Sequence, residues 1–277
     1  MLGITARNAA IIATTLSPEM YFTGLISRLS FVSCECFANA QNRERLETRM
    51  HPLDNPAWSA LTTHQSQIAL VEGMARRFPP EMCVHGALAL QMPQAWESLA
   101  RLARVPVGLF TSAPLAPPPG WTVTRHVELL EMLHEGDTMV KRDTAIPITE
   151  LRESDLPEMT VVYEGTRPAR KLCQRIQKLG PFLGVRVDGK LVAMAGLRMH
   201  LPGYREITTV GTLAGYEHRG YATALVAALV ERIRERNERP FLTVRTDNPR
   251  AVEIYRRLGF RERTRLHSTS VMYGSMA

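Results

Sequence analysis

No run of apolar residues in this chain approaches the roughly 18–20 that a membrane-crossing helix needs, so no membrane span is expected. Cysteine is sparse. Cys34, Cys36, Cys83 and Cys173 are too few and too scattered for a disulfide framework or a four-ligand zinc site. Small buried thiols in a reducing cytoplasm are the expectation. Aromatic residues make up 6% of the chain, which weakens any case for stacking on single-stranded nucleic acid. The histidines are not paired at ligand spacing, and no metal site is expected. There is neither a GxGxxG nor a Walker sequence, so neither Rossmann nor P-loop nucleotide binding is supported.

What is present is a chain of 277 residues, 45% hydrophobic and 22% charged, the balance of a globular protein of one large or two ordinary domains. The net charge of +7 is unevenly placed. Up to Ala145 there are 12 basic against 13 acidic residues, and beyond it 22 against 14. The C-terminal half therefore carries the whole basic excess and should meet something anionic, such as a phosphorylated cofactor. A solvated Arg-rich face would give the same count.

Residues 1–49 show neither strand alternation nor a capped helix and read as a poorly packed extension, with Met50 as an alternative start. A chain begun at Met50 is expected to keep its fold and its cofactor binding. A melting temperature lower by about 5 °C or more would show instead that the extension belongs to the core. Residues 50–140 read as an N-terminal α/β domain. The apolar spacing of Trp58, Leu61, Ile68, Val71, Met74 and Ala75 predicts a helix from Ala57 to Phe78. Strands are expected over 83–90, 105–110 and 121–127, with a helix over 93–104; this part carries no recognisable chemical motif.

After a polar connection over 136–143, a second unit spans 146–277. Asp188-Gly189 between two alternating runs is a strong hairpin signal. Strands are expected over 206–212, 241–246 and 267–273, and Ala222, Leu225, Val226, Leu229 and Ile233 form a helical stripe. Strands and helices alternate, so the class is α/β with a mixed sheet.

The informative stretch is Glu206-Ile-Thr-Thr-Val-Gly-Thr212, a short loop, then Glu217-His-Arg-Gly-Tyr-Ala222 opening the long helix. A helix start has four amides without internal partners and about half a positive charge, which suits an anion. Gly220 lets backbone approach a ligand, and Arg219 adds a mobile positive charge. Downstream, Asn248-Pro-Arg-Ala-Val-Glu-Ile-Tyr255-Arg-Arg-Leu-Gly259-Phe260 begins with a capping residue and a proline. In order and spacing these stretches, over roughly 146–277, resemble the GNAT superfamily of acyl-CoA-dependent N-acyltransferases. The likeness is nearest to its glycine N-acyltransferase-like branch. That family's loop reads Gln/Arg-x-x-Gly-x-Gly/Ala; Gly220 and Ala222 match it, and Glu217 departs from it.

The resemblance implies a mixed, mostly antiparallel sheet flanked by helices, with an N-terminal α/β domain related to the catalytic one that walls the acceptor site. It implies acetyl-CoA as acyl donor, with Val210, Gly211 and Thr212 along the pantetheine arm. His218, Arg219, Gly220, Tyr221, Ala222 and Thr223 would lie at the pyrophosphate, and Asn248 would be a further contact. It also implies Glu206 as general base and Tyr255 as general acid, in direct attack of an amine on the thioester. The acceptor expected is a small-molecule or peptide amine, with amino acid, polyamine, antibiotic, peptide terminus and aminoacylated tRNA all open; no metal or membrane is expected, and a homodimer is compatible. A catalytically silent acyl-CoA-binding module and a basic nucleic-acid-binding protein are the rival readings; the second would show steeply salt-dependent binding.

Overall fold

Asn55 opens the first helix: its side-chain oxygen accepts from the amide of Trp58 at 3.3 Å, and Pro56 takes the first position. In the computed structural model, which describes residues 51–136, 145–167 and 170–274, this helix, α1 (Pro56–Thr62), is much shorter than the spacing predicts. Thr62 Oγ1 donates to the carbonyl of Trp58 at 2.8 Å, and Thr63 Oγ1 to that of Ser59 at 2.5 Å. Such back-bonding competes with helix propagation. Gly73, at φ +42°, then turns the chain so that β1 (Leu70–Glu72) and β2 (Ala75–Arg77) pair antiparallel, with β3 (Gly86–Leu88) beside them. The apolar residues read as one helical stripe thus belong to a helix and a hairpin. The helix α2 (Pro93–Leu102) buries Ala95, Trp96 and Leu99 in the core of this small sheet.

The remaining strands form one eight-stranded sheet. They are β4 (Val107–Thr111), β5 (Trp121–His134), β6 (Thr149–Leu151), β7 (Phe182–Val187), β8 (Lys190–Leu201), β9 (Tyr204–Thr212), β10 (Arg239–Arg245) and β11 (Phe260–Tyr273). The order across the sheet is β4-β11-β5-β10-β9-β8-β7-β6. Every neighbouring pair is antiparallel except β9 with β10, so the sheet is mixed and mostly antiparallel, as expected. Asp188 and Gly189, at φ +48° and +78°, make the β7–β8 turn. Two strands outrun their expected lengths. β5 continues past Val127 to His134, and β11 begins at Phe260 rather than His267, because the two ladder together from Tyr273↔Trp121 to Phe260↔His134. Strands from 50–140 and from 146–277 share this sheet, and His51–Ala277 forms one compact unit. The N-terminal extension, with Cys34 and Cys36, and all of the 136–143 connection but Gly136 lie outside the described residues.

Successive residues of β8 feed opposite faces of the sheet. Ala193 and Ala195 join the core under α4 (Tyr221–Arg234), whose Leu225, Val226, Leu229 and Ile233 are fully buried. Met194 and Met199 join the core on the other face, with α1 and with Met159 and Val162 of α3 (Leu156–Thr166). Each such side chain contributes roughly 1.5–3 kcal/mol when fully buried, so both faces are firmly clad. Among the described residues no helix is long and apolar enough to cross a membrane.

Candidate active site

The parallel pair β9/β10 is short. It runs from Tyr204↔Arg239 to Ile207↔Leu242 and stops, although β9 continues to Thr212 and β10 to Arg245. A bulge accounts for the parting. Between Gly196↔Thr208 and Met194↔Gly211 the register shifts, and Thr209 takes φ +57°, uncommon for a β-branched residue. The kink directs residues 208–212 away from β10, opening a cleft between two neighbouring strands.

The loop that follows β9 ends at the N-terminus of α4. Gly220, its N-cap at φ +79°, offers no side-chain cap, so the first amides of α4 stay open to a ligand. A Cβ built at Gly220 would touch only Ile146, at 3.5 Å; glycine is required here by backbone conformation and by approach from outside. Glu217, which departs from the family pattern, braces the loop: its Oε2 accepts from the amide of Gly215 at 2.6 Å. Bonds from its own amide and that of Gly215 hold its carboxyl below the usual range. Arg219 and Lys190 lie 5.3 and 5.9 Å over the ring of Tyr216, and Arg250 reaches the Nδ1 of His218 at 3.3 Å. Three cations therefore border the open helix end. Tyr221 and Ala222 are half-buried, Thr223 is exposed, and Asn248 caps α5 (Pro249–Arg257) by accepting from the amide of Ala251 at 3.1 Å.

Glu206 is only 1% exposed and is held by Arg198, whose Nη2 donates to Oε1 at 2.5 Å and Nε to Oε2 at 2.9 Å. The amide of Met199 adds a bond to Oε2 at 3.3 Å. Burial works against the charge on Arg198, but Glu206 outweighs it and holds the guanidinium above its ordinary range. Arg198 Nη1 also reaches the Nδ1 of His85 at 3.3 Å; since a guanidinium only donates, this nitrogen accepts and the ring is neutral. Burial, with Arg198 and Arg170, keeps His85 far below its ordinary pKa. Cys83 Sγ is 3.3 Å from the same nitrogen, its thiol pushed up to about 11 by burial.

Tyr255, on α5, packs edge-on against Phe260 at 6.0 Å, and burial pushes its hydroxyl up to about 12, with Arg167 opposing. Arg167 donates from Nη2 to the carbonyl of Val210 at 2.9 Å and from Nη1 to Thr166 Oγ1 at 2.9 Å, and stacks 5.0 Å over Tyr163. It so fastens the end of α3 to the diverging part of β9. The sequence reading named neither Arg167, Arg198 nor His85. For Arg198 a signal existed, because it and Glu206 are opposite charges equally far from Pro202 at the β8–β9 turn. For His85 and Arg167 the sequence holds none.

A strand pair that parts beside an uncapped helix N-terminus, in a mixed sheet clad on both faces, defines an α/β protein with a cleft and an anion-accepting helix end, and the comparisons supply the family. The acetyltransferase (GNAT) family profile matches residues 148–260. A GNAT-family protein of known structure from Novosphingobium aromaticivorans is 34% identical, with 82% of this chain and 100% of that one covered at a TM-score of 0.74. The chain belongs to the GNAT family. Two further structures share the fold at low identity. A GCN5-related N-acetyltransferase from Kribbella flavida is 18% identical over 76% of this chain and 95% of its own, at a TM-score of 0.52. A GCN5-related N-acetyltransferase-like protein from Streptococcus suis is 15% identical over 84% and 99%, at 0.55. No curated protein matches the chain.

Proposed function

We propose that this chain transfers acetyl from acetyl-CoA to a primary amine by direct attack within a ternary complex. The observation that carries the reading is the cleft between β9 and β10 opening beside the uncapped start of α4. The pantetheine arm would lie along Val210, Gly211 and Thr212. Arg167 uses one lone pair of the Val210 carbonyl and leaves the other for a pantetheine amide. The amides of His218 to Thr223 would take the pyrophosphate, with Arg219 beside them and Asn248 at the neighbouring helix start. Residues 50–140 would wall the acceptor side, in the manner of the glycine N-acyltransferase-like branch. In support, Gln65 donates to the carbonyl of Arg198 at 2.9 Å, and His85 meets its guanidinium. The unreactive thiols of buried Cys83 and half-buried Cys173 suit a reducing cytoplasm.

Glu206 would draw the proton from the amine through a water on Oε1, while Arg198 fixes the carboxylate. Holding a lysine-like amine neutral at pH 7 costs roughly 4–5 kcal/mol and an α-amine only about 1, so the base matters most for the first kind. Tyr255 would donate toward the departing thiolate. Cys83 and Cys173 are both pushed up by burial, so neither is an activated nucleophile, which favours direct transfer over an acyl-enzyme.

Tyr255→Phe is expected to lower kcat by about 10²-fold, within the range of general acid catalysis, with the acetyl-CoA Kd little changed. Because the hydroxyl is pushed up to about 12, it stays protonated as pH rises, and no descending limb from Tyr255 should appear below about pH 11. Steady-state rates with a thiol readout check both. Turnover of the Tyr255→Phe variant within about threefold of wild type would leave solvent as the proton source.

A further inference from the structure

The open end of the cleft is crowded with guanidinium groups that no carboxylate among the described residues answers. Because β9 and β10 are parallel and β5 is antiparallel to β10, the ends of β9 and β10 and the start of β5 all lie at this end of the sheet. Arg167 is tied there, through its bond to the Val210 carbonyl. Arg125 stands on β5 four residues beyond Leu129, the last to pair with β10. Arg170 follows Arg167, with its amide bonded to the Arg167 carbonyl at 3.1 Å. All three are half-buried. Two further arginines nearby are already matched: Arg198 by Glu206, and Arg245 by Asp247. Among the described residues no carboxylate forms an ion pair with Arg125, Arg167 or Arg170. Their mutual repulsion is felt: after burial, the charges of Arg170 and Arg245 lower Arg125, and Arg170 and Arg198 lower Arg167.

Half-buried like charges held together without a counterion create a positive field that an incoming anion would relieve. In the acetyl-transfer reading the donor's pyrophosphate goes to the start of α4, which packs on the other face of the sheet from α3. The Nη1 and Nη2 of Arg167 each spend one N–H on the protein, and each keeps one for the two oxygens of a planar acid.

We propose that the acceptor amine belongs to a molecule bearing a carboxylate, which Arg125, Arg167 and Arg170 receive at the mouth of the β9/β10 cleft. This rests on the acetyl-transfer reading above. The same charges would disfavour an ammonium and so ease loss of the acceptor's proton, leaving less for the Arg198-bound Glu206 to do. They would also repel polyamines and other polycationic amines.

The test is a panel of amines with the full chain and acetyl-CoA: the free amino acids, their C-terminal amides, acidic dipeptides, phosphoethanolamine and spermidine. The best carboxylate-bearing acceptor should exceed its amide by about 10²-fold in kcat/KM, two charge-assisted bonds' worth. Arg170→Gln should cut that ratio about tenfold, and Arg170→Lys should restore part of it. A free amino acid and an acidic dipeptide separate an α-carboxylate from a side-chain one. The proposal is overturned if amides, phosphoethanolamine or spermidine serve equally well, or if Arg170→Gln weakens only acetyl-CoA binding. If no amine is acetylated, acetyl transfer itself fails. Saturation-transfer NMR of the same acids on the CoA-loaded protein then decides: carboxylate binding that Arg170→Gln removes upholds the cluster's role, and none refutes it.

Discussion

Glu206→Ala should lower the melting temperature by roughly 10 °C. The pair with Arg198 has side chains only 14% and 1% exposed, and removing one partner strands the other charge in the sheet, a loss of about 3–5 kcal/mol. At about 2–4 °C per kcal/mol for a unit of this size, the shift is large in scanning calorimetry. Arg198→Met with Glu206→Leu should recover most of it, because the desolvation of both ions disappears with their attraction. Glu206→Ala melting within about 2 °C of wild type would mean that the pair is open to water. This separates two contributions of one carboxylate. If the double variant is stable yet inactive, Glu206 acts on the reaction and not only on the fold.

The second large effect is expected on cofactor binding. Gly220→Glu should weaken acetyl-CoA by at least about 10²-fold, near 2.7 kcal/mol. Two costs add. The residue sits at φ +79°, where an L side chain costs about 1–2 kcal/mol and so favours a free loop relaxed out of the binding shape, and the new carboxylate would stand at the helix end proposed for phosphate. Gly220→Asn, neutral and tolerant of that backbone, should lose far less. Calorimetric titration of both variants with CoA checks the ordering; equal affinity for wild type and Gly220→Glu would remove the loop from the binding site.

How much of this was readable in advance follows from how local each feature is. The loop into α4, proposed above to take the pyrophosphate, is contiguous, so Gly220, Ala222 and the helix behind them make its turn and uncapped helix start legible. The Asp188-Gly189 turn and the stripe of α4 are equally local. The helix predicted over Ala57–Phe78 failed because apolar spacing cannot see Thr62 and Thr63 closing the last turn, or Gly73 reversing the chain. β11 was read too short because Arg261, Glu262, Arg263 and Arg265 look like a loop. Yet Arg261, Glu262 and Arg265 ladder to β5, and Arg263, at the bulge between them, reaches Glu131 at 2.7 Å and also pairs with Asp54. Arg198 with Glu206, and Arg167 with Val210, are contacts between elements, which no periodicity encodes. The N-terminal half looked chemically silent, but His85 meets the guanidinium that holds Glu206.

The position of β5 sets a timetable for synthesis. It is made early, yet its two neighbours in the sheet, β10 and β11, begin at Arg239 and Phe260. At about 5–20 residues per second, a ribosome leaves it without either partner for roughly 5–20 s. A strand with both edges bare invites pairing with another chain. Thr122, Thr124, His126 and Glu128 are exposed in the finished sheet and make the nascent strand poor material for such pairing. A fragment begun at residue 146 would meet the opposite difficulty: β10 and β11 would emerge with nothing to fill the gap between them. The N-terminal half would then have to be supplied in trans before the sheet could close.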